Sequence, residues 1–132
     1  MAYHLTTNTG YDLFECASAL QKSIRRGLEE DAMYWSLELA GKYDEFLWKR
    51  LGVIASEDIG PADNSIAILV DVLSQQAKDL RKASRKPSDR ILLAHAIIAL
   101  CRAPKSRIAD DLAALVAHQR DREGLRRAIP DY

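Results

Sequence analysis

The chain predicts an all-α fold, a compact bundle of about six helices, on three observations. Apolar residues recur every three or four positions through successive segments, the spacing of a helix with one buried face. Glycine and proline mark the joints between those segments, at Gly27, Gly60, Pro61, Pro87 and Pro104. No segment alternates as a strand does between turn signals, and no internal repeat emerges. With 132 residues, one domain can bury a core without disulfides or metals.

Residues 1–10 form an arm of Thr, Asn and Gly without periodicity, expected to be poorly fixed or to dock late. Residues 11–118 make up the helical domain and residues 119–132 a charged tail. Helix one is expected from about Tyr11 to Arg26, burying Leu13, Phe14, Ala17, Leu20 and Ile24, with Gly27 closing it. Helix two, about Glu29 to Gly41, has Glu29, Glu30 and Asp31 at its positive end and Ala32, Trp35, Ser36 and Leu39 on one side. Helix three starts near Asp44, a candidate cap, and carries Phe46, Leu47, Leu51 and Ile54.

Asp63 or Asn64 can cap helix four, about Ser65 to Arg85, whose stripe is Ile66, Leu69, Val70, Leu73, Ala77 and Leu80. Helix five, about Asp89 to Arg102, is apolar on every face from Ile91 to Cys101 except at His95, which predicts the central element of the bundle. After Pro104, Ser106 is expected to cap helix six, with Ile108, Leu112, Leu115 and Val116 as its buried side.

Nineteen Lys and Arg balance nineteen Asp and Glu, so any electrostatic function must be local. Cys16 and Cys101 lie in apolar helical segments, which favours reduced, buried thiols in a reducing compartment. No secretory h-region precedes a small-residue cleavage site, and no apolar run approaches the roughly 20 residues that span a bilayer. A cytoplasmic protein without membrane contact is the expectation.

The stretch from Lys49 to Asp63 organises the rest. It reads as two helical turns striped by Leu51, Ile54 and Ala55, ended by Gly60 in a left-handed conformation and by Pro61. Glu57 and Asp58 conflict with that reading, because the dipole disfavours acids in a last turn. A cation or an unsatisfied N–H must compensate them, and Lys49 and Arg50 are the local candidates. A general acid–base pair or a metal site would need further ligands. An ion-paired corner, with Arg50 on one carboxylate, is preferred, since adjacent residues diverge by about 100° and cannot face one reacting centre. Ser56 and Ser106 have no histidine at a spacing that suggests a nucleophile, so each is expected to cap or to bond back to the main chain.

His4, His95 and His118 are too scattered for a metal motif, and His95 reads as a core histidine with one satisfied nitrogen. Tyr34 and Trp35 point to different sides of their helix, so one can pack while the other meets a partner subunit. From Lys78 to Arg90 six cations, Lys78, Arg81, Lys82, Arg85, Lys86 and Arg90, oppose Asp79 and Asp89. Such a stripe can hold phosphates, although no aromatic is interleaved to stack bases and a solvated charged face is the commoner explanation.

Several segments together resemble a known family. Ser18-Ala-Leu-Gln-Lys-Ser-Ile-Arg25, Asp31-Ala-Met-Tyr-Trp35, Lys49-Arg-Leu, Ala55-Ser-Glu-Asp-Ile-Gly60 with Ala62-Asp63, and Ala103-Pro-Lys-Ser106 are similar to the C-terminal helical region of the RarA/MgsA family. These are clamp-loader-like AAA+ ATPases of the Werner-helicase-interacting type. The match runs from about Tyr11 to Arg107. It implies an all-helical domain that assembles full-length members into homotetramers, in proteins that act at stalled replication forks and bind single-strand-binding protein and DNA. The chain departs from the family pattern at Gln21, where His is usual, at His95, where Gln is usual, and at Arg107, where Asn is frequent.

The family's ATPase module has no counterpart in these residues. No Gly-x-x-x-x-Gly-Lys-[Ser/Thr] occurs, since Gly41-Lys42 is followed by Tyr43 and lacks the upstream glycine, so no ATP hydrolysis and no cofactor are expected. A stand-alone relative and a fragment of a longer protein are both open. The expectation is a non-catalytic oligomerisation and interaction module of DNA replication, recombination or repair. It would associate with itself, a tetramer being favoured by the resemblance, and with an ATPase, single-strand-binding protein or DNA. The alternative is a DNA-binding protein that uses residues 78–90, with Lys105, Arg107, Arg126 and Arg127 as extensions.

Overall fold

The computed structural model describes residues 4–83 and 89–131. Those residues contain six α-helices and no strand beyond one isolated bridge between Thr6 and Asp12. The helices are α1 (Leu13–Arg25), α2 (Glu29–Leu39), α3 (Asp44–Ile54), α4 (Ser65–Ala83), α5 (Arg90–Arg102) and α6 (Ile108–Asp121). Between α3 and α4 the chain makes a π-helical turn, Ala55–Ile59, and a 3-10 turn, Gly60–Ala62. Among the described residues no helix is long and apolar enough to cross a membrane.

Several starts have a local cause. The Asp12 carboxylate accepts from the backbone N–H groups of Phe14 and Glu15, and Asp63 accepts from the N–H of Ser65, so two orphan helix ends are satisfied. Asp44 does not cap α3. It is the first helical residue and accepts instead from the N–H of Gly41. Ser106 accepts from the N–H of Ile108 at 3.3 Å. Gly27 closes α1 with a φ of +72°, a conformation that needs no Cβ.

The core runs through α1 to α5. Leu20, Ile24, Leu39, Leu47, Leu51, Ile54, Ile59 and Leu100 are shut off from solvent. α1 packs chiefly on α2, and α5 packs on α1, α2 and α4. Leu93, Ala96, Ile97, Leu100 and Cys101 are the buried side of α5. α5 is nevertheless not enclosed all round, because Ile91, His95 and Ile98 are exposed. His95 is therefore a surface residue and not a core histidine. On α1, Phe14 is 66% exposed and Cys16 holds the core position instead. Leu80, the last member of the α4 stripe, is also exposed. Both cysteines are free thiols in the core, and burial pushes each up to about 11, so neither is a thiolate at neutral pH.

The two ends of the chain reverse what periodicity suggests. Residues 4–12 are docked, not loose. Thr7 is buried, its hydroxyl donates to Glu38 Oε1 at 2.7 Å, and the N–H and hydroxyl of Thr9 donate to the same oxygen. Asn8 donates from Nδ2 to the carbonyls of Leu37 and Ala40, which closes the C-terminal end of α2. At the other end α6 buries none of its residues. Ile108, Leu112 and Leu115 are 61%, 62% and 56% exposed, so the side expected to pack is open. Among the described residues α6 packs chiefly on the π-helical and 3-10 turns, and the tail folds back beside Val116 and Arg120.

Candidate functional site

The most concentrated polar chemistry lies in the organising stretch, at Asp58. The chain passes from α3 into a π-helical turn rather than ending as an α-helix, and this wider turn directs the Asp58 side chain into the body, where it is 0% exposed. Its Oδ1 accepts from Arg25 Nε of α1 at 2.9 Å and from Arg107 Nη1, beside the start of α6, at 2.5 Å. Its Oδ2 accepts from Gln21 Nε2 of α1 at 2.9 Å. The main-chain carbonyl of Asp58 also accepts from the N–H of Ser106 at 2.7 Å. One residue thus binds α1, the π-helical turn and the entry to α6.

Glu57 takes part through the same amide. Gln21 Nε2 donates to Glu57 Oε2 at 2.8 Å as well as to Asp58, while Gln21 Oε1 accepts from Arg50 Nη2 at 2.9 Å. Two expectations are corrected by this geometry. Arg50 contacts no carboxylate and reaches the acids only through Gln21, its Nε being buried without a hydrogen-bond partner. The two neighbouring carboxylates do converge on one atom, because the π-helical turn replaces the regular α spacing. Lys49 points away, into the groove between α3 and α4, and Ser56 is exposed.

Burial alone would raise the Asp58 carboxyl pKa, but hydrogen bonds from Gln21, Arg25 and Arg107 outweigh it and hold the pKa below its ordinary value. Asp58 is therefore ionised at neutral pH, closed to solvent and held by three donors. A carboxylate in that state neither donates a proton nor reaches a substrate. Gly60 follows with a φ of +49°, a conformation costly for any residue with a Cβ, and a Cβ there would lie 3.5 Å from Ala109 of α6. Glycine at this point lets the chain leave the node in that conformation.

The partners of Asp58 escaped the sequence reading because Arg25, Gln21 and Arg107 are up to 49 positions away from it. A signal did exist. Gln21, Arg25 and the Ala103 to Arg107 segment all lie in or beside the segments that carry the family resemblance, and Gln21 and Arg107 are two of the three departures from its pattern. Both departures contact the same carboxylate.

The basic stripe comes apart. Arg81 is held by Asp89 at 3.0 Å and by Asp44 at 3.6 Å. Lys78, Lys82 and Arg90 are exposed, and Arg85 and Lys86 lie outside the described residues. Lys78 and Arg81 line an open groove of about 560 Å³ between α3 and α4, together with Lys49, Glu45 and Asp71, so its charge is mixed. Of the proposed extensions, Lys105 donates to the carbonyls of Cys101 and Ala103 and Arg107 is taken by Asp58 and Asp110. Tyr34 and Trp35 form one cluster with Tyr11: the Tyr11 and Tyr34 hydroxyls are 2.9 Å apart, and Trp35 meets the edge of each tyrosine with ring centres 5.0 Å apart. Tyr34 keeps an exposed face.

Fold and node together define an all-helical packing domain whose strongest polar site joins its own helices. The chain belongs to the family described as the MgsA AAA+ ATPase C-terminal region, whose model matches residues 28–132. It is also 37% identical over 95 residues to an uncharacterized AAA domain-containing protein of Mycobacterium tuberculosis. That match covers 70% of this chain and 20% of the relative, so the chain spans about a fifth of that protein's length.

Proposed function

We propose that this chain is a non-catalytic self-association and interaction module that serves an AAA+ ATPase in DNA replication, recombination or the repair of stalled forks. The observation that carries this reading is α6: a helix with a regular apolar stripe, anchored to the body at its first turn and buried nowhere. Exposed apolar surface of this kind marks a contact with another chain. A closed tetramer with dihedral symmetry needs two different self-complementary faces. Ile68 and Val72 on α4 and Ile91 and Ile98 on α5 are further exposed apolar residues, and Tyr34 is another contact candidate. ATP hydrolysis on this reading comes from a separate module or partner, and the name of the mycobacterial relative, with an AAA domain in a much longer chain, supports that division. Single-strand-binding protein is a proposed further partner, and the cytoplasm the proposed location.

Light scattering on a size-exclusion column at low and high salt tests the reading. A multiple of the 14.8 kDa chain mass that persists at high salt is expected, because an apolar interface is not screened. A single-chain mass at every concentration would remove it. The alternative, direct DNA contact, draws on exposed Lys78, Lys82 and Arg90. It requires binding that collapses between roughly 50 and 200 mM salt and is lost in a Lys78→Glu, Lys82→Glu variant. Arg81 is no fair probe, since it holds Asp44 and Asp89.

A further inference from the structure

We infer that α6 pairs with α6 of a second copy of this chain, antiparallel, about a twofold axis near Ala113 and Ala114. The inference rests on the self-association reading and specifies its surface and register. At about 100° per residue, Ile108, Leu112, Leu115 and Gln119 fall on one stripe of α6, with Val116 beside it. Asp111, His118 and Arg122 fall together along the opposite edge of that stripe. The charges on this edge are segregated, with the acid in the first turn and the bases in and just after the last.

That segregation selects the orientation. In a parallel pair the twofold puts the two copies of this edge on opposite sides of the seam, each against the Val116 edge of the other helix, so Asp111 gains no basic partner. Antiparallel pairing about the centre of the stripe sets Leu112 opposite Leu115 and Ile108 opposite Gln119. It also brings Asp111 to within about two residues, roughly 3 Å along the axis, of His118 in the second copy, with Arg122 beyond it. Asp111 is exposed and makes no ion pair among the described residues, so it is free for this contact. His118 lies 3.4 Å from Glu123, which leaves its other edge open. The twofold makes the contact isologous, and it closes at two copies. A seam of about four turns is shorter than the interfaces of roughly 1,200 Å² or more that hold stable complexes, so the pair is reversible.

Cross-linking of the full chain through introduced cysteines decides the register. The native Cys16 and Cys101 are buried and stay out of the reaction. An Asp111→Cys, His118→Cys double variant is expected to give a covalent dimer under mild oxidation, while neither single variant does. A dimer from either single variant, or none from the double variant, would put the seam in another register or on another face and overturn the inference. Sedimentation over a wide concentration range supplies the second measurement. Leu112→Glu with Leu115→Glu is expected to weaken association by at least about tenfold, with an unchanged far-ultraviolet spectrum because both positions are exposed, whereas Ile68→Glu leaves the pair intact. If the wild type associates and the α6 variant associates equally well, the seam is elsewhere and only this inference falls. If the wild type is a monomer throughout, the self-association reading falls with it.

Discussion

The N-terminal arm and α6 teach opposite lessons about what secures a segment. The arm has no hydrophobic period, yet Thr7, Asn8 and Thr9 dock it by directed hydrogen bonds to Glu38 and to the last carbonyls of α2. α6 has a clear period, yet none of its residues is buried. Periodicity tells which face wants cover. It does not tell whether the same chain supplies that cover. Buried polar groups that must be satisfied can fix a segment as firmly as apolar area does.

The largest effect that would sharpen this contrast is expected at Asp58, which joins α6 to the body. Asp58→Ala leaves Arg25 without its carboxylate and Arg107 with Asp110 alone, although both arginines remain more than a third exposed and can hydrate. A loss of about 3 kcal/mol in denaturant unfolding is expected, the low end for a broken buried pair, together with faster amide exchange in α6 than in α1. Equal exchange in both helices would show that the node is not what anchors α6.

Acid should imitate that variant. The folded pKa of Asp58 lies below its unfolded value of about 3.9, so its contribution is complete above that value and lost as pH falls through the folded one. Glu38 is likewise held low, chiefly by the Thr7 hydroxyl, and acts with the same sign. Thermal melts are therefore expected to be flat through neutral pH and to drop below about pH 4 in the wild type, with a shallower drop in Asp58→Ala.

Next in size is the arm. Thr7→Val keeps the shape and deletes one hydroxyl, the donor to Glu38 and the acceptor for the Tyr11 N–H, and about 1 kcal/mol of destabilisation is expected. A null result would mean that the arm is held by its remaining bonds alone. The smallest effect belongs to α6. Leu112→Ala at concentrations too low for association is expected to change stability by less than about 0.5 kcal/mol, as for a surface site. A loss of 2 kcal/mol or more, the cost typical of a core leucine, would place α6 in the core and break the contrast.

How far the sequence could be read follows from the same physics. The six helices were legible because each carries its own spacing, cap or stop signal, and their bounds came out within a few residues at Asp12, Gly27 and Asp63. The Asp58 node was visible only as a conflict, two acids where a helix end disfavours them. Its solution was not legible, since the compensating cations come from α1 and from the entry to α6 and the local candidate, Arg50, binds Gln21 instead.

The sequence by itself thus determined the class of fold, the order of its helices and the place where something unusual had to happen, because these depend on spacing between near neighbours. Tertiary structure alone decided that the turn after α3 is π-helical, that Arg25 and Arg107 share one carboxylate, that the arm docks and that α6 stands clear. Each of those is a contact between residues far apart in the chain, and its energy exists only once the helices are in place.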